Sequence, residues 1–161
     1  MLSKERFTQL VQAHIHTVFR IALHYTKNPT DAADITQDTF FKLYREPKEF
    51  ESEEHIRNWL IRVAVNESKK QLRAPWRKWV PYEEYAASLP FPSPEHEELF
   101  DAVMALPKKY SLPIYLHYYE GFSTQEIARL LRTPHATVRT HLSRGRQLLR
   151  QQLQEVEDHE Y

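Results

Sequence analysis

Apolar residues recur at three- and four-residue steps along most of this chain, and that period predicts helices almost throughout. Phe7, Leu10, Val11, Ile15, Val18, Phe19, Ala22 and Leu23 predict a long helix over Lys4–Tyr25. Asn28-Pro29-Thr30 breaks it. Thr30 can cap the next helix, Asp31–Arg45, with Asp31 and Asp34 in a first turn where the helix dipole favours acids. Its apolar side reads as Ala33, Ile35, Phe40, Phe41, Leu43 and Tyr44. Asp34, Gln37, Asp38, Lys42 and Arg45 stay outside, and by pattern alone they form a solvated face. Glu46–His55 is an acidic loop with one aromatic, Phe50, and a helix over Ile56–Arg73 follows. Leu60, Ile61, Ala64, Val65 and Leu72 are its apolar sector. Trp59 lies between that sector and the polar side, where it can either pack in the core or stack on a base.

The second half repeats the period after a break. Between Ala74 and Pro94 stand Pro75, Pro81, Pro90, Pro92 and Pro94, with Trp76, Trp79, Tyr82, Tyr85 and Phe91. That composition predicts an extended linker that lies on some surface, because a passive tether has no use for aromatics. Glu95–Leu106 reads as a helix with Leu99, Phe100, Val103, Met104 and Leu106 apolar. Pro107 interrupts, and Lys109–Tyr119 resumes with Pro113 tolerated best in a first turn. Gln151–Tyr161 reads as a frayed helical end and a short acidic tail. The fold class is therefore all-α, with two small helical domains at 1–73 and 94–161 joined by a linker at 74–93.

Composition supports this and narrows the function. The chain has 161 residues, only two glycines and no cysteine. Disulfides, zinc-thiolate sites and thiol catalysis are excluded, and no targeting pattern or membrane-length apolar run appears, so a cytoplasmic protein is expected. Basic and acidic residues balance at 22 each, but they are segregated. From Ile127 to Gln154 there is no Asp or Glu, and six arginines stand in that interval. A segregated charge suits one nucleic-acid face and other faces for proteins.

Two stretches carry candidate chemistry. In Glu120–Arg150, Ser123 and Glu126 form a capping box before Ile127, Leu130 and Leu131. Leu131–Pro134 reads as a turn, with Thr133 as the next N-cap and Pro134 at the first helical position. Val138, Leu142, Gly145 and Leu149 then fall on one side, and Ala136, Arg139, Thr140, Ser143, Arg146 and Gln147 on the other. This is the grammar of a helix-turn-helix whose second helix suits the DNA major groove. The candidate DNA contacts are Arg129, Arg132, His135, Arg139, Thr140, Ser143, Arg144 and Arg146. Among them Arg129, Arg132 and Arg146, together with Arg150, would hold phosphates, and Arg139, Thr140, Ser143 and Arg144 would approach base edges. The second stretch is the stripe Arg62, Asn66, Lys69 and Arg73, at i, i+4, i+7 and i+11, able to lie along a nucleic-acid backbone.

The order of these parts resembles bacterial RNA polymerase sigma factors, and the short two-domain length resembles their extracytoplasmic-function group. Asp31-Ala-Ala-Asp-Ile-Thr-Gln-Asp-Thr-Phe-Phe-Lys-Leu-Tyr resembles the polymerase-binding helix. Phe50 through Asn66, with Trp59-Leu-Ile-Arg-Val-Ala-Val-Asn66, resembles the segment that melts and reads the downstream promoter element. Leu106-Pro-Lys-Lys-Tyr110, Tyr118-Tyr-Glu-Gly-Phe-Ser-Thr-Gln-Glu-Ile-Ala128 and Thr137-Val-Arg-Thr-His-Leu-Ser-Arg-Gly-Arg146 resemble the promoter-reading C-terminal domain. The family departs from this chain at Gly145, usually alanine, and at Arg132, where glycine is frequent in the turn. His141 and Ser143 stand where arginine and a bulkier residue are common, and the Glu51, Glu53, Glu54 loop is unusually acidic.

The resemblance implies partners and roles. Asp34, Gln37, Asp38 and Phe41 become candidate contacts to the clamp helices of the polymerase largest subunit, with the flap as a second contact. Phe50 and its loop would capture a flipped base, and Arg62, Asn66, Lys69 and Arg73 would follow the melted downstream element. The linker would thread toward the RNA exit path. Promoter DNA and an anti-sigma factor, often membrane-anchored, are the other implied partners. No cofactor, metal or small-molecule substrate is implied, and the chain is not expected to be an enzyme. His14 and His16, two residues apart on a helix, point in different directions and are read as surface or packed side chains. The competing readings are a stand-alone helix-turn-helix regulator, which would normally dimerise, and a histidine-dependent hydrolase. The second lacks a nucleophile, a glycine-rich loop or paired carboxylates.

Overall fold

The computed structural model describes residues 2–73, 84 and 97–160, and within these every regular element is helical. The side chains of residues 97, 98 and 156–160 are not among those described. Apart from Glu84, the expected linker at 74–93 lies outside the described residues, as does the expected helix start at Glu95. The chain divides into two compact units, Met1–Phe91 and Pro92–Tyr161.

In the first unit α1 (Lys4–Thr26), α2 (Pro29–Arg45) and α3 (Glu53–Leu72) pack on one another in all three pairings. Ser3 caps α1 by accepting from the Arg6 amide at 3.1 Å, and Lys27 ends it in the left-handed region at φ 51°. The core is Leu10, Ile21 and Leu23 of α1, Ile35 and Leu43 of α2, and Leu60 and Ile61 of α3. Full burial of each such side chain contributes about 1.5–3 kcal/mol. The ion pairs Arg6–Glu53 and Lys42–Glu67 join α1 and α2 to α3 at the surface, where such pairs add about 1 kcal/mol or less.

Several expected details change here. Asn28, not Thr30, caps α2: its carboxamide oxygen accepts from the Thr30 and Asp31 amides at 2.9 and 3.2 Å, and Pro29 takes the first helical position. The helix thus begins two residues early, and Asp34 falls in its second turn. Ala33, Phe41 and Tyr44 lie outside the core, whose α2 side is Ala32, Ile35, Thr36, Thr39, Phe40 and Leu43. Thr36 and Thr39 can be buried because their hydroxyls donate to the Ala32 and Ile35 carbonyls at 2.7 and 2.8 Å. On α3, Ser52 supplies the cap by accepting from the His55 amide, so the helix starts at Glu53 and shortens the acidic loop.

In the second unit α4 (Glu97–Ala105) leads to α5 (Lys108–Ile114), which runs into a π-helical turn at Tyr115–Tyr119. Pro113 is not in the first turn of α5 but near its end. It offers no N–H to the Lys109 carbonyl, and directly after it the backbone widens, with the Glu120 amide bonding Tyr115 O at 3.3 Å. Gly121, at φ 77°, reverses the chain, and the Phe122 amide closes on Leu116 O at 3.0 Å. Helices α6 (Thr124–Leu131) and α7 (His135–Glu160) follow. Leu99 was expected in the core and is 41% exposed, while Phe100, Val103 and Met104 are buried. The last residues continue α7 as helix to Glu160.

Candidate nucleic-acid interface

The α6–α7 pair forms from local signals. Ser123 accepts from the Glu126 amide at 3.1 Å, and the Glu126 carboxylate accepts from the Ser123 amide at 3.0 Å, closing the capping box. Arg132 ends α6 in the left-handed region at φ 51°, where its amide bonds the Ala128 and Arg129 carbonyls. Thr133 does not cap α7. Its hydroxyl turns back to donate to Leu131 O at 3.2 Å, and Pro134 O accepts the first α7 bond from the Val138 amide.

Val138, Leu142, Gly145 and Leu149 of α7 are buried, and Ala136, Arg139, Thr140, Ser143, Arg144, Arg146 and Gln147 are exposed. Ala136, Arg139, Thr140, Ser143, Arg144 and Gln147 line a shallow groove. Arg129 and Arg132 are exposed at the end of α6. His135 is half-buried, and its Nε2 lies 2.7 Å from the Thr124 hydroxyl, tying the start of α7 to the start of α6. The Thr140 hydroxyl donates to Ala136 O at 3.0 Å, which leaves its oxygen as an acceptor. Arg146 donates to the Tyr118 hydroxyl at 2.8 Å, a partner the sequence pattern did not reveal.

On the first unit Arg62, Asn66, Lys69 and Arg73 are all exposed along α3. Phe50, before the start of α3, is half-buried, its ring edge-on to Trp59 at 5.6 Å and to His55 at 5.2 Å. The Glu51 amide donates to His55 Nδ1 at 3.1 Å, which fixes the loop on the first turn of α3. Trp59 is half-buried, supported by Phe50 rather than enclosed in the core.

A third surface lies between α1 and α2. Asp34, Gln37, Asp38 and Phe41 are all exposed, and Phe41 and Tyr44 are 50% and 49% exposed. Phe7, Val11, Ile15, Phe19, Phe40 and Phe41 contribute to the apolar lining of a cleft of about 670 Å³. Phe7 meets Tyr44 edge-on at 5.2 Å, and the Arg45 guanidinium sits 5.3 Å from the Phe41 ring centre. The sequence period puts Phe7, Ile15 and Tyr44 on the apolar sides of their helices; Ile15 and Tyr44 are exposed and Phe7 is half-buried, and all three line this cleft. Sorting the apolar positions of α2 into two arcs would have separated outward Phe41 and Tyr44 from inward Ile35 and Leu43. Among the described residues no cluster of three or more metal-ligating side chains occurs, and no helix is long and apolar enough to cross a membrane.

Two family models match in order, Sigma-70 region 2 over residues 10–78 and Sigma-70 region 4 over residues 96–149. The chain belongs to the sigma-70 family. The sigma factor is similar to the ECF RNA polymerase sigma-E factor of Haemophilus influenzae, with 29% identity covering 94% of this chain and 89% of that one. It is 27% identical to the RNA polymerase sigma-H factor of Pseudomonas aeruginosa over 94% of this chain and 88% of its relative. Among solved structures, CnrH in complex with the cytosolic domain of CnrY matches with a TM-score of 0.65 and 25% identity, over 95% of this chain and 90% of that one. RpoE in complex with the anti-sigma factor NepR from Bartonella quintana matches in fold, with a TM-score of 0.67 and 21% identity over 92% and 96% of the two chains. These likenesses place the sigma factor in the extracytoplasmic-function group.

Proposed function

We propose that this sigma factor joins core RNA polymerase, directs it to promoters with two recognition elements and aids melting of the downstream one. The observation that carries the reading is the presence, in order on one chain, of both sigma-70 regions. The domain roles follow: 1–73 for polymerase binding and the downstream element, 94–161 for the upstream element, and 74–93 as the connection.

In this reading the polymerase lays an apolar, helical surface of its largest subunit on the α1–α2 cleft. Asp34, Gln37, Asp38 and Phe41 make the contacts, with Tyr44 and Ile15 added to them as exposed apolar surface. The exposed stripe Arg62, Asn66, Lys69 and Arg73 follows the separated strand, and Phe50, braced by Trp59 and His55, offers its ring to an unstacked base. Arg139, Thr140, Ser143 and Arg144 enter the major groove, and Arg129, Arg132 and Arg146 hold phosphates around it. His135 positions the α7 start through Thr124 and is the least available of the upstream set for DNA.

Each unit alone binds DNA weakly. Held by one polymerase, the two engage their elements together, and the second contact becomes effectively intramolecular. CnrH is solved in complex with the cytosolic domain of CnrY, and RpoE of Bartonella quintana, alike in fold, in complex with the anti-sigma factor NepR; an anti-sigma factor is the corresponding partner in this reading. Affinity capture with purified core polymerase tests the reading: the full-length chain is retained at near one-to-one stoichiometry. A chain that only self-associates and leaves the polymerase free favours the stand-alone regulator instead.

A further inference from the structure

We propose that Tyr118 and Arg146 form a two-donor clamp for a DNA backbone phosphate at the edge of the upstream element, with Tyr118 as an unrecognised DNA-contacting residue. The inference rests on the reading of α7 as the promoter-reading helix. It concerns the shoulder of that helix rather than its base-reading face.

The geometry starts from the helix. Arg146 precedes Arg150 by four residues, so the two arginines share one edge of α7, and neither lines the shallow groove that Arg139, Thr140, Ser143 and Arg144 border. A side chain at that edge faces the wall of a groove, where phosphates are, when the opposite arc faces base edges. Arg146 does not extend freely from it. Its Nη1 donates to the Tyr118 hydroxyl at 2.8 Å.

Tyr118 is in turn held in place. It leaves the π-helical turn pointing outward and is 55% exposed. Its ring meets His117 edge-on at 4.8 Å, and His117 Nδ1 donates to the Phe122 carbonyl at 2.7 Å. Phe122 is buried, so the phenol is referred to the core through one neighbouring ring. The widened turn after Pro113 is what gives Tyr118 this direction while Tyr115 and Leu116 point inward.

A phenol has one donor and can accept, and a guanidinium has five donors and no acceptor. Because the Tyr118 oxygen accepts from Arg146, its own proton is left for another acceptor, beside the remaining guanidinium N–H groups. Two adjacent donors, one of them charged, with no carboxylate among the described residues bonded to either, fit a phosphate diester oxygen pair. Holding the guanidinium in advance also removes part of the side-chain ordering cost on binding.

The test uses the full-length chain as holoenzyme with core polymerase, on a promoter fragment recovered by run-off selection from genomic DNA. Tyr118→Phe keeps the exposed ring and removes only the hydroxyl. It is expected to weaken promoter binding about three- to tenfold, equally on all base-pair variants of the upstream element. In an Arg146→Ala background, which itself lowers the salt-dependence slope by about 1, the same change costs under about twofold, because the pair acts as a unit. Arg139→Ala is measured in parallel and loses discrimination at one base pair. Unchanged binding by Tyr118→Phe, or an equal loss in both backgrounds, overturns the clamp while the Arg139 effect leaves the promoter reading standing. A holoenzyme that shows no Arg139-dependent base preference overturns the reading and the clamp with it.

Discussion

A β-carbon on Gly145 would lie 2.5 Å from Ile114 Cδ1 and 3.2 Å from Tyr110 Cβ, so α7 crosses α5 at the one position of that helix where glycine stands. The bulk of Ile114 fills the space that a β-carbon at position 145 would take. Gly145→Ala gains about 1 kcal/mol of helix propensity but overpacks a buried contact, at about 1–3 kcal/mol. Net destabilisation of the second unit by about 1 kcal/mol is expected, read as faster amide exchange in α5 and α7. Ile114→Val in the same chain should restore the lost protection.

At Arg132 the backbone conformation and the proposed phosphate contact make opposite demands. Its left-handed backbone, at φ 51°, costs a non-glycine residue about 1 kcal/mol. Arg132→Gly should therefore raise the unfolding midpoint of the second unit. It should also weaken promoter binding several-fold without altering base preference, as loss of a phosphate contact does. Calorimetry and holoenzyme binding on matched samples separate the two effects.

Phe41 is half exposed and so contributes little to its own fold. Phe41→Ala should leave the unfolding free energy within about 0.5 kcal/mol. Affinity for core polymerase should fall about tenfold or more, as for an aromatic anchor at the centre of an interface. Competition against a labelled copy of the wild-type chain measures it.

Burial in α1 pushes the Tyr25 phenol up to about 12 from its ordinary 10.0. Between these values the unfolded chain releases a proton that the folded chain retains, so stability is full below pH 10 and falls as pH rises toward 12. The loss attributable to this one group reaches about 3 kcal/mol. Denaturant titrations at intervals from pH 9 to 12 should show that slope in the wild type and a shallower one in Tyr25→Phe.

Much of this was legible in the sequence because it is written locally. The capping box at Ser123 and Glu126, and the division of α7 into Val138, Leu142, Gly145 and Leu149 against Arg139, Thr140 and Ser143, follow from spacing alone. What escaped depended on competition between near-equal signals or on distance along the chain. Asn28 and Thr30 are both good caps, and Pro29 decided for Asn28 by being suited to the first helical position. Phe41 and Tyr44 share the helical period of the core residues but fall on another arc, which counting apolar residues does not separate. The contact between Tyr118 and Arg146 spans 28 residues and depends on a π-helical turn that no residue pattern announces. The face proposed to meet the polymerase is readable only by resemblance, since exposed Asp34, Gln37 and Asp38 look like any solvated helix side.

Run-off transcription by purified core polymerase, with and without this protein, on a pool of fragments from its own genome tests the central claim most directly. The account predicts discrete transcripts that appear only with the protein, disappear with Phe41→Ala at limiting concentration, and move to altered upstream elements with Arg139→Ala. The account is contradicted if the transcript pattern matches that of core polymerase alone while the free protein still binds a specific palindromic DNA.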